Sequence, residues 1–348
     1  MTEITRIAID TSKSVFTLHG VDVAGQAVRR RELLPFFERL APLEVALEAC
    51  GGSHHWGRAL AALGRRLRLI PPQYVKPFVK RGKNDRNSAC PRAGQRPDPW
   101  AEAIAVAAAQ PSIASVPVKS AEQQAAAMLL SVRELLVRQR TQLVNAMRGH
   151  AAEMGVVAPV GEKGLAELRT EVAAADDAAV PAAAKQAIAL LGQEVERIEL
   201  RRRVIDATLM HQHKANPVSR RLAAIPGIGP IGALNLALRV DATQFKSARH
   251  FAAWLGLLPR ECSTAGRQRL GGISRAGDER LRQLLVLGAT AVIQHAKPGR
   301  LATSQWLLNL LNRKPRKVAA VALANKTARI VWAMMTRGEA YRPRPAAA

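Results

Sequence analysis

Apolar residues follow two different periods in this chain. Ile4–Asp10 alternates apolar and polar positions, and Ser14–Val21 and Gln26–Leu34 continue as short strand-like runs, with a turn at Val23–Gly25. Pro35–Leu40 is a short helix candidate, and Leu43–Ala49 is an apolar strand broken by Glu44 and Glu48. After Gly51–Gly52 come a helix at His54–Gly64 and a basic strand at Arg65–Ile70, closed by Pro71–Pro72. Strands interleaved with helices predict a sheet with helices packed on it. Asn87–Pro99 carries three prolines, a glycine and no periodicity, and reads as a loop before an Ala-rich helix at Trp100–Gln110. From Ser120 to Gly155 the period is helical, through Met128, Leu129, Val132, Leu135, Leu136, Leu143 and Met147, and Ala183–His213 repeats it with alternating charges. Two long helices joined by the stretch 170–182 fit an antiparallel hairpin or coiled coil, or equally a plain helical bundle. The expected class is therefore α/β followed by α. The 348 residues divide into segments 1–119, 120–217 and 218–340, with a frayed tail at 341–348.

Charge narrows the partners. The chain has 52 Lys+Arg against 27 Asp+Glu, a formal net charge of +25. Residues 242–348 hold nineteen Lys+Arg and four Asp+Glu, a net of +15. A surplus of this size repels itself unless it meets nucleic acid or an anionic membrane surface. No uninterrupted apolar run reaches the ~18 residues of a membrane span, and MTEITRIAID lacks a signal-peptide pattern. Cys50, Cys90 and Cys262 are far apart and without metal-ligand spacing, which points to a reducing cytoplasm. Aromatic residues are 4%, which disfavours a single-strand platform built on stacking. The expectation is a cytoplasmic, nucleoid-associated protein with no membrane partner.

Three constellations could carry chemistry. Asp10 and Glu48 end predicted strands, Asp85 precedes a helix in KRGKND, and Asp98 follows in the loop. Acids gathered at strand ends can hold paired Mg²⁺ (or Mn²⁺) ions for phosphodiester chemistry. Alternatively, Asp10 caps the turn through DTSK and Glu48 pairs with an arginine. The turn Ile225–Ala233, IPGIGPIGA, resembles a helix-hairpin-helix module whose Gly227 and Gly229 let backbone N–H groups approach a phosphate; an ordinary turn between core helices gives the same string. The stretch Arg260–Arg269 places Ser263 and Thr264 among Arg260, Arg267 and Arg269, with Arg275 beyond. Arginines there could clamp a scissile phosphate while a serine attacks, or the hydroxyls could serve an ST-turn in a phosphate-binding loop. His250 is the nearest histidine in sequence, and Cys262 has no paired histidine. His54-His55 point to different faces and suit capping or packing, His211 and His213 suit a helix C-terminus, and Arg313–Lys317 is either a solvated face or a phosphate contact.

The strings IAIDTSKSVFTLHGVD, LEVALEACGGSHHWGRAL, PPQYVKPFVKRGKND, VPVKS through RTQLVNAMRGH, IPGIGPIGA and FAAWLGLLPRECSTAGRQRLGGISRAGDERLRQLL occur in order. Together they resemble the insertion-sequence 110 family of transposases, and within it the 1111 subgroup. The resemblance implies an N-terminal RNase H-like, resolvase-type DEDD domain, a helical coiled-coil middle and a C-terminal transposase domain with an essential serine. It also implies recombination of double-stranded DNA, at element ends and target, guided by a non-coding RNA, in a homodimer or tetramer. Asp10, Glu48 and Asp85 match the first three acids, and Ser263 matches the serine of a motif that here reads Ser263-Thr264-Ala265-Gly266. Thr264 is the fallback nucleophile. The fourth acid is out of register: reading forward from Asp85 gives Ser88, and reading backward from Ala101–Ile104 gives Trp100. Asp98 or Glu102 substitutes for it, or metal binding is impaired. A carboxylate-only junction-resolving nuclease and an inactivated DNA- or RNA-binding relative are the alternatives.

Overall fold

The structure is a computed structural model describing residues 5–11, 15–20, 26–79, 99–264, 266–267, 269–297 and 304–342. The chain forms two compact units, Met1–Gln124 and Ala125–Ala348. It is mixed α/β and mostly helical, with one small mixed sheet.

Unit 1 is built on strands β1 (Arg6–Thr11), β2 (Val15–Gly20), β3 (Gln26–Arg29), β4 (Glu44–Glu48) and β5 (Arg66–Ile70), in the order β3-β2-β1-β4-β5. β2 lies antiparallel to β1 and to β3, whereas β1, β4 and β5 run parallel. The period of two sends the side chains of β1, β4 and β5 to two different cores, one of which β2 and β3 share. Ile7, Ile9, Phe16, Leu18, Val45, Leu47 and Leu69 meet helices α1 (Leu33–Glu38) and α2 (Ser53–Ala62) through Leu33, Phe37, Trp56 and Leu60. On the opposite face Ala8, Ala46 and Ile70 meet α3 (Pro72–Val75) and α4 (Pro99–Ala109) through Val75, Ala103, Ile104 and Ala107. Alanine on both sides of that second interface lets α4 lie close over β1 and β4.

The third strand is shorter than the sequence predicts. It stops at Arg29, a 3-10 turn follows at Arg30–Glu32, and Leu33 and Phe37 then bury themselves one helical turn apart on α1. The buried Arg65 guanidinium donates to the carbonyls of Phe37, Leu40 and Ala41, satisfying the end of α1. The two sheet edges differ. Beyond β5 an isolated antiparallel bridge joins Leu69 to Val116, whose N–H donates to Leu69 O at 2.7 Å. β3 forms the other edge and runs directly into the exposed Arg29, Arg30 and Arg31, with the Arg30 guanidinium 5.5 Å from the Trp56 ring.

α5 (Ala121–Glu153), which belongs to unit 2 from Ala125 onward, and α7 (Ala182–Ala215) lie antiparallel, paired by Arg133–Asp206 at 2.5 Å and Arg140–Glu199 at 2.7 Å. The contacts step seven residues forward on one helix and seven back on the other. The connection between them is not a bare linker. It contains α6 (Glu162–Ala174), whose Leu165, Leu168 and Val172 fill a core with Met147, Ala151, Ile188 and Val195. Arg140 also reaches Glu162 at 2.6 Å, so one guanidinium ties three helices. A second core unites α8 (Pro217–Leu222), α9 (Pro230–Arg239), α10 (Ala248–Trp254), α11 (Glu279–Gln294), α12 (Gln305–Leu311) and α13 (Arg316–Arg337). α13 is long and apolar enough to cross a membrane by length and composition. Its Ala319, Ala324, Ala328, Val331 and Met334 are buried in this core.

Candidate active site

Ile9 pairs with Leu47 across the parallel strands β1 and β4, so Asp10 and Glu48, one residue further, stand side by side, strands of this kind being about 4.8 Å apart. Both belong to the alternation of Ala8 and Ala46 and lie on the face that α4 covers. They are 8% and 9% exposed, the two buried carboxylates among the described residues. Thr17, also buried, is the antiparallel partner of Asp10, which makes a polar row Thr17–Asp10–Glu48 across three strands. Neighbouring strand residues on one face have side chains within reach of each other. The indole Nε1 of Trp100, in the first turn of α4, donates to Glu48 Oε2 at 2.7 Å. Thr11 Oγ1 and Cys50 Sγ lie 3.1 Å apart, tying the end of β1 to the turn after β4.

Two carboxylates side by side repel in a poorly solvated place unless donors or a cation intervene. Their oxygens are the hard donors that Mg²⁺ takes, and Mg²⁺ typically uses one or two carboxylates, completing its shell with water and substrate phosphates. The pair therefore fits such an ion. No group of three or more His, Cys, Asp or Glu able to hold a metal occurs among the described residues. Asp85, Asp98 and Ser88 lie outside the described residues. Thr17 was not singled out by sequence, although its alternation with Phe16 and Leu18 in a strand beside β1 carried the signal.

Ser263 lies in the connection of a β-hairpin. β6 (Pro259–Glu261) pairs antiparallel with β7 (Leu270–Ile273), and Cys262 N–H donates to Arg269 O at 2.9 Å. Ser263 Oγ accepts the Arg269 N–H at 3.0 Å, and Thr264 O accepts the Arg267 N–H at 3.0 Å. Arg260, Arg267, Arg269 and Arg275 are all exposed, and no acid is in ion-pair range of them among the described residues. The base of the hairpin is locked. A Cβ on Gly277 (φ +67) would sit 1.8 Å from Trp254 O, and one on Gly256 (φ +68) 2.4 Å from Ala276 N. Arg282, itself buried, donates to Leu255 O at 3.1 Å and Ala276 O at 2.7 Å. A rigid base thus presents an exposed hydroxyl among cationic side chains.

The turn between α8 and α9 uses its glycines differently from each other. Gly227 (φ +86) packs backbone to backbone on Gly288 of α11, where a Cβ would lie 1.8 Å from Gly227 O. Gly229 caps α9 in an extended conformation, is exposed, and has open space where a Cβ would go. His54 and His213 have structural partners. His54 Nδ1 accepts the Lys119 N–H at 3.2 Å, and burial, then the nearby Lys119 and Arg58 charges, hold its pKa below the ordinary 6.5. His213 lies in the last turn of α7, as its place at a helix C-terminus suggests, and is buried there with Nδ1 2.8 Å from Ser219 Oγ.

Comparison with known proteins defines the class as transposase. The family model described as Transposase IS116/IS110/IS902 family matches residues 219–304, the segment from α8 to just before α12. The putative transposase y4pF/y4sB of Sinorhizobium fredii is 49% identical over 98% of this chain and 86% of its own length. The probable family 20 transposase of Pseudomonas aeruginosa is 44% identical over 98% and 99%, and the transposase for insertion sequence element IS1111A of Coxiella burnetii is 36% identical over 98% and 92%. The chain belongs to the IS116/IS110/IS902 family of transposases.

Proposed function

We propose that this protein excises and inserts its own insertion sequence by strand cleavage and exchange on double-stranded DNA, with Ser263 as nucleophile, Asp10 and Glu48 as ligands of Mg²⁺ or Mn²⁺, and a structured non-coding RNA as guide. The observation that carries the reading is the side-by-side placement of Asp10 and Glu48 at the ends of adjacent parallel strands. Asp85 and Asp98 are assigned to the same metal-binding set. The 3-2-1-4-5 sheet order, with β2 antiparallel, supports an RNase H-like reading of residues 1–119. The seven-residue step between α5 and α7 supports a coiled-coil reading of 120–217. Residues 218–340 form the transposase segment, and 341–348 a tail.

In the reaction, Ser263 Oγ attacks the scissile phosphorus and the bond from phosphorus to the 3′ oxygen breaks. The serine proton passes through solvent to that departing oxygen, leaving a 5′-phosphoserine link and a 3′-hydroxyl. Attack by a 3′-hydroxyl of the exchanged strand reverses the step and frees the serine. Arg260, Arg267 and Arg269 oppose charge on the phosphate, and Arg275 and the backbone at Gly227 and Gly229 hold flanking phosphates. A divalent cation bound to Asp10 and Glu48 would supply further neutralisation of the phosphate. The complex acts as a homodimer or tetramer, since two duplexes are exchanged.

Trapping a denaturant-stable protein–DNA adduct with a double-stranded element end, and repeating with Ser263→Ala, tests the nucleophile. Loss of the adduct is expected; an undiminished adduct would transfer the role to Thr264. One observation favours a carboxylate-only nuclease: Ser263 Oγ already serves the hairpin by accepting from Arg269. Chelator-sensitive cleavage surviving Ser263→Ala selects that second reading.

A further inference from the structure

We propose that Trp100 is the positioning residue of the metal-binding pair: its indole N–H fixes the Glu48 carboxylate in the orientation that ligates a divalent cation beside Asp10. This rests on the proposed role of the two carboxylates. Glu48 is 9% exposed, and a carboxylate taken from water needs donors. The donor it receives comes from an element fifty-two residues further along the chain, at 2.7 Å. The indole is a donor only and offers a single proton, so it occupies one lone pair of Oε2 and leaves Oε1 and the second lone pair of Oε2 for ligation. It is also neutral, so it orients the carboxylate without cancelling the charge that a cation needs. The alanines of the interface make this reach possible. Ala8 and Ala46 on the sheet and Ala103 and Ala107 on α4 bring the helix down onto β1 and β4, and its first turn then overhangs the end of β4. Donors that stand behind a metal ligand in this way hold it in place, and losing one typically costs about 10–100-fold in metal affinity.

The test is a Mn²⁺ titration of the full-length protein, with free Mn²⁺ followed by its paramagnetic resonance signal and each variant's thermal melt recorded alongside. Trp100→Phe keeps the ring and removes the donor, and is expected to weaken Mn²⁺ binding about 10–100-fold while the melt stays close to that of the parent. Trp100→His restores a ring N–H and is expected to recover part of the loss. If Trp100→Phe fails to fold, Trp100→Met provides the donorless comparison. Unchanged or tighter Mn²⁺ binding by the donorless variant would overturn the inference, tighter binding meaning that the indole competes with the cation. Asp10→Ala separates the two levels. Binding lost in Asp10→Ala but kept in Trp100→Phe sinks only the role of Trp100. Parent and Asp10→Ala binding equally poorly sinks the metal reading as well.

Discussion

Single residues here carry constraints that composition conceals. Gly277 has a positive φ and no room for a side chain, because Trp254 O occupies the place of its Cβ. We expect Gly277→Ala to cost about 2–4 kcal/mol in a denaturant melt, from overpacking plus a left-handed conformation. Gly51→Ala, with nothing within 4 Å of its Cβ, is the control that should be nearly neutral. His54 gives a second residue-scale outcome. Its folded pKa is below the ordinary 6.5, so the unfolded chain binds the proton first as pH falls. The contribution of His54 is fully present above about pH 6.5 and is lost as pH drops through the lowered folded value. Melts of the parent and of His54→Gln at pH 5 to 8 should converge at the acidic end; curves that stay parallel throughout would contradict this. At this scale Asp10 and Glu48 were legible because acids on apolar strands stand out. Trp100's bond to Glu48 was not, since nothing in one sequence says that the start of one helix overhangs the end of a strand fifty-two residues earlier.

Elements were read well where a period was long and less well where short segments compete. The helices α5 and α7 form where the helical period runs, although of the apolar residues that mark it in α5 Leu136 and Met147 are buried while Met128, Val132 and Leu135 are exposed; β3 ends at Arg29 because burial of Leu33 and Phe37 together outweighs continuation of the strand. The hairpin β6–β7 escaped notice because it is exposed on both faces and offers no apolar alternation to detect. The antiparallel pairing of α5 with α7 has a measurable signature. Arg140, a fifth exposed and bonded to both Glu199 and Glu162, is expected to lose on the order of 1 kcal/mol of stability as Arg140→Met, and the loss should shrink in high salt. An equal loss in Arg197→Met, whose i,i+3 pair with Glu194 is mostly exposed, would show that the three-helix tie contributes nothing special.

For the whole molecule the decisive quantity is how the +25 charge meets its partner. If the hairpin arginines contact phosphates, replacing Arg260, Arg267 and Arg269 by alanine should flatten the slope of log affinity against log salt by roughly 3 for duplex DNA, weakening all sequences alike. An unaltered slope would place the phosphate contacts elsewhere, with Arg313–Lys317 the next segment to neutralise. The same surplus bears on how the sheet survives before any partner arrives. Val116 bridges the β5 edge at Leu69, but among the described residues no strand pairs with the outer side of β3, a template on which another chain could stack. Arg29 at the end of β3 and Arg30 and Arg31 directly after it are exposed and charged, and charge at a strand edge opposes such stacking, so part of the surplus that suits a nucleic acid also guards a freshly made chain against aggregating edge to edge.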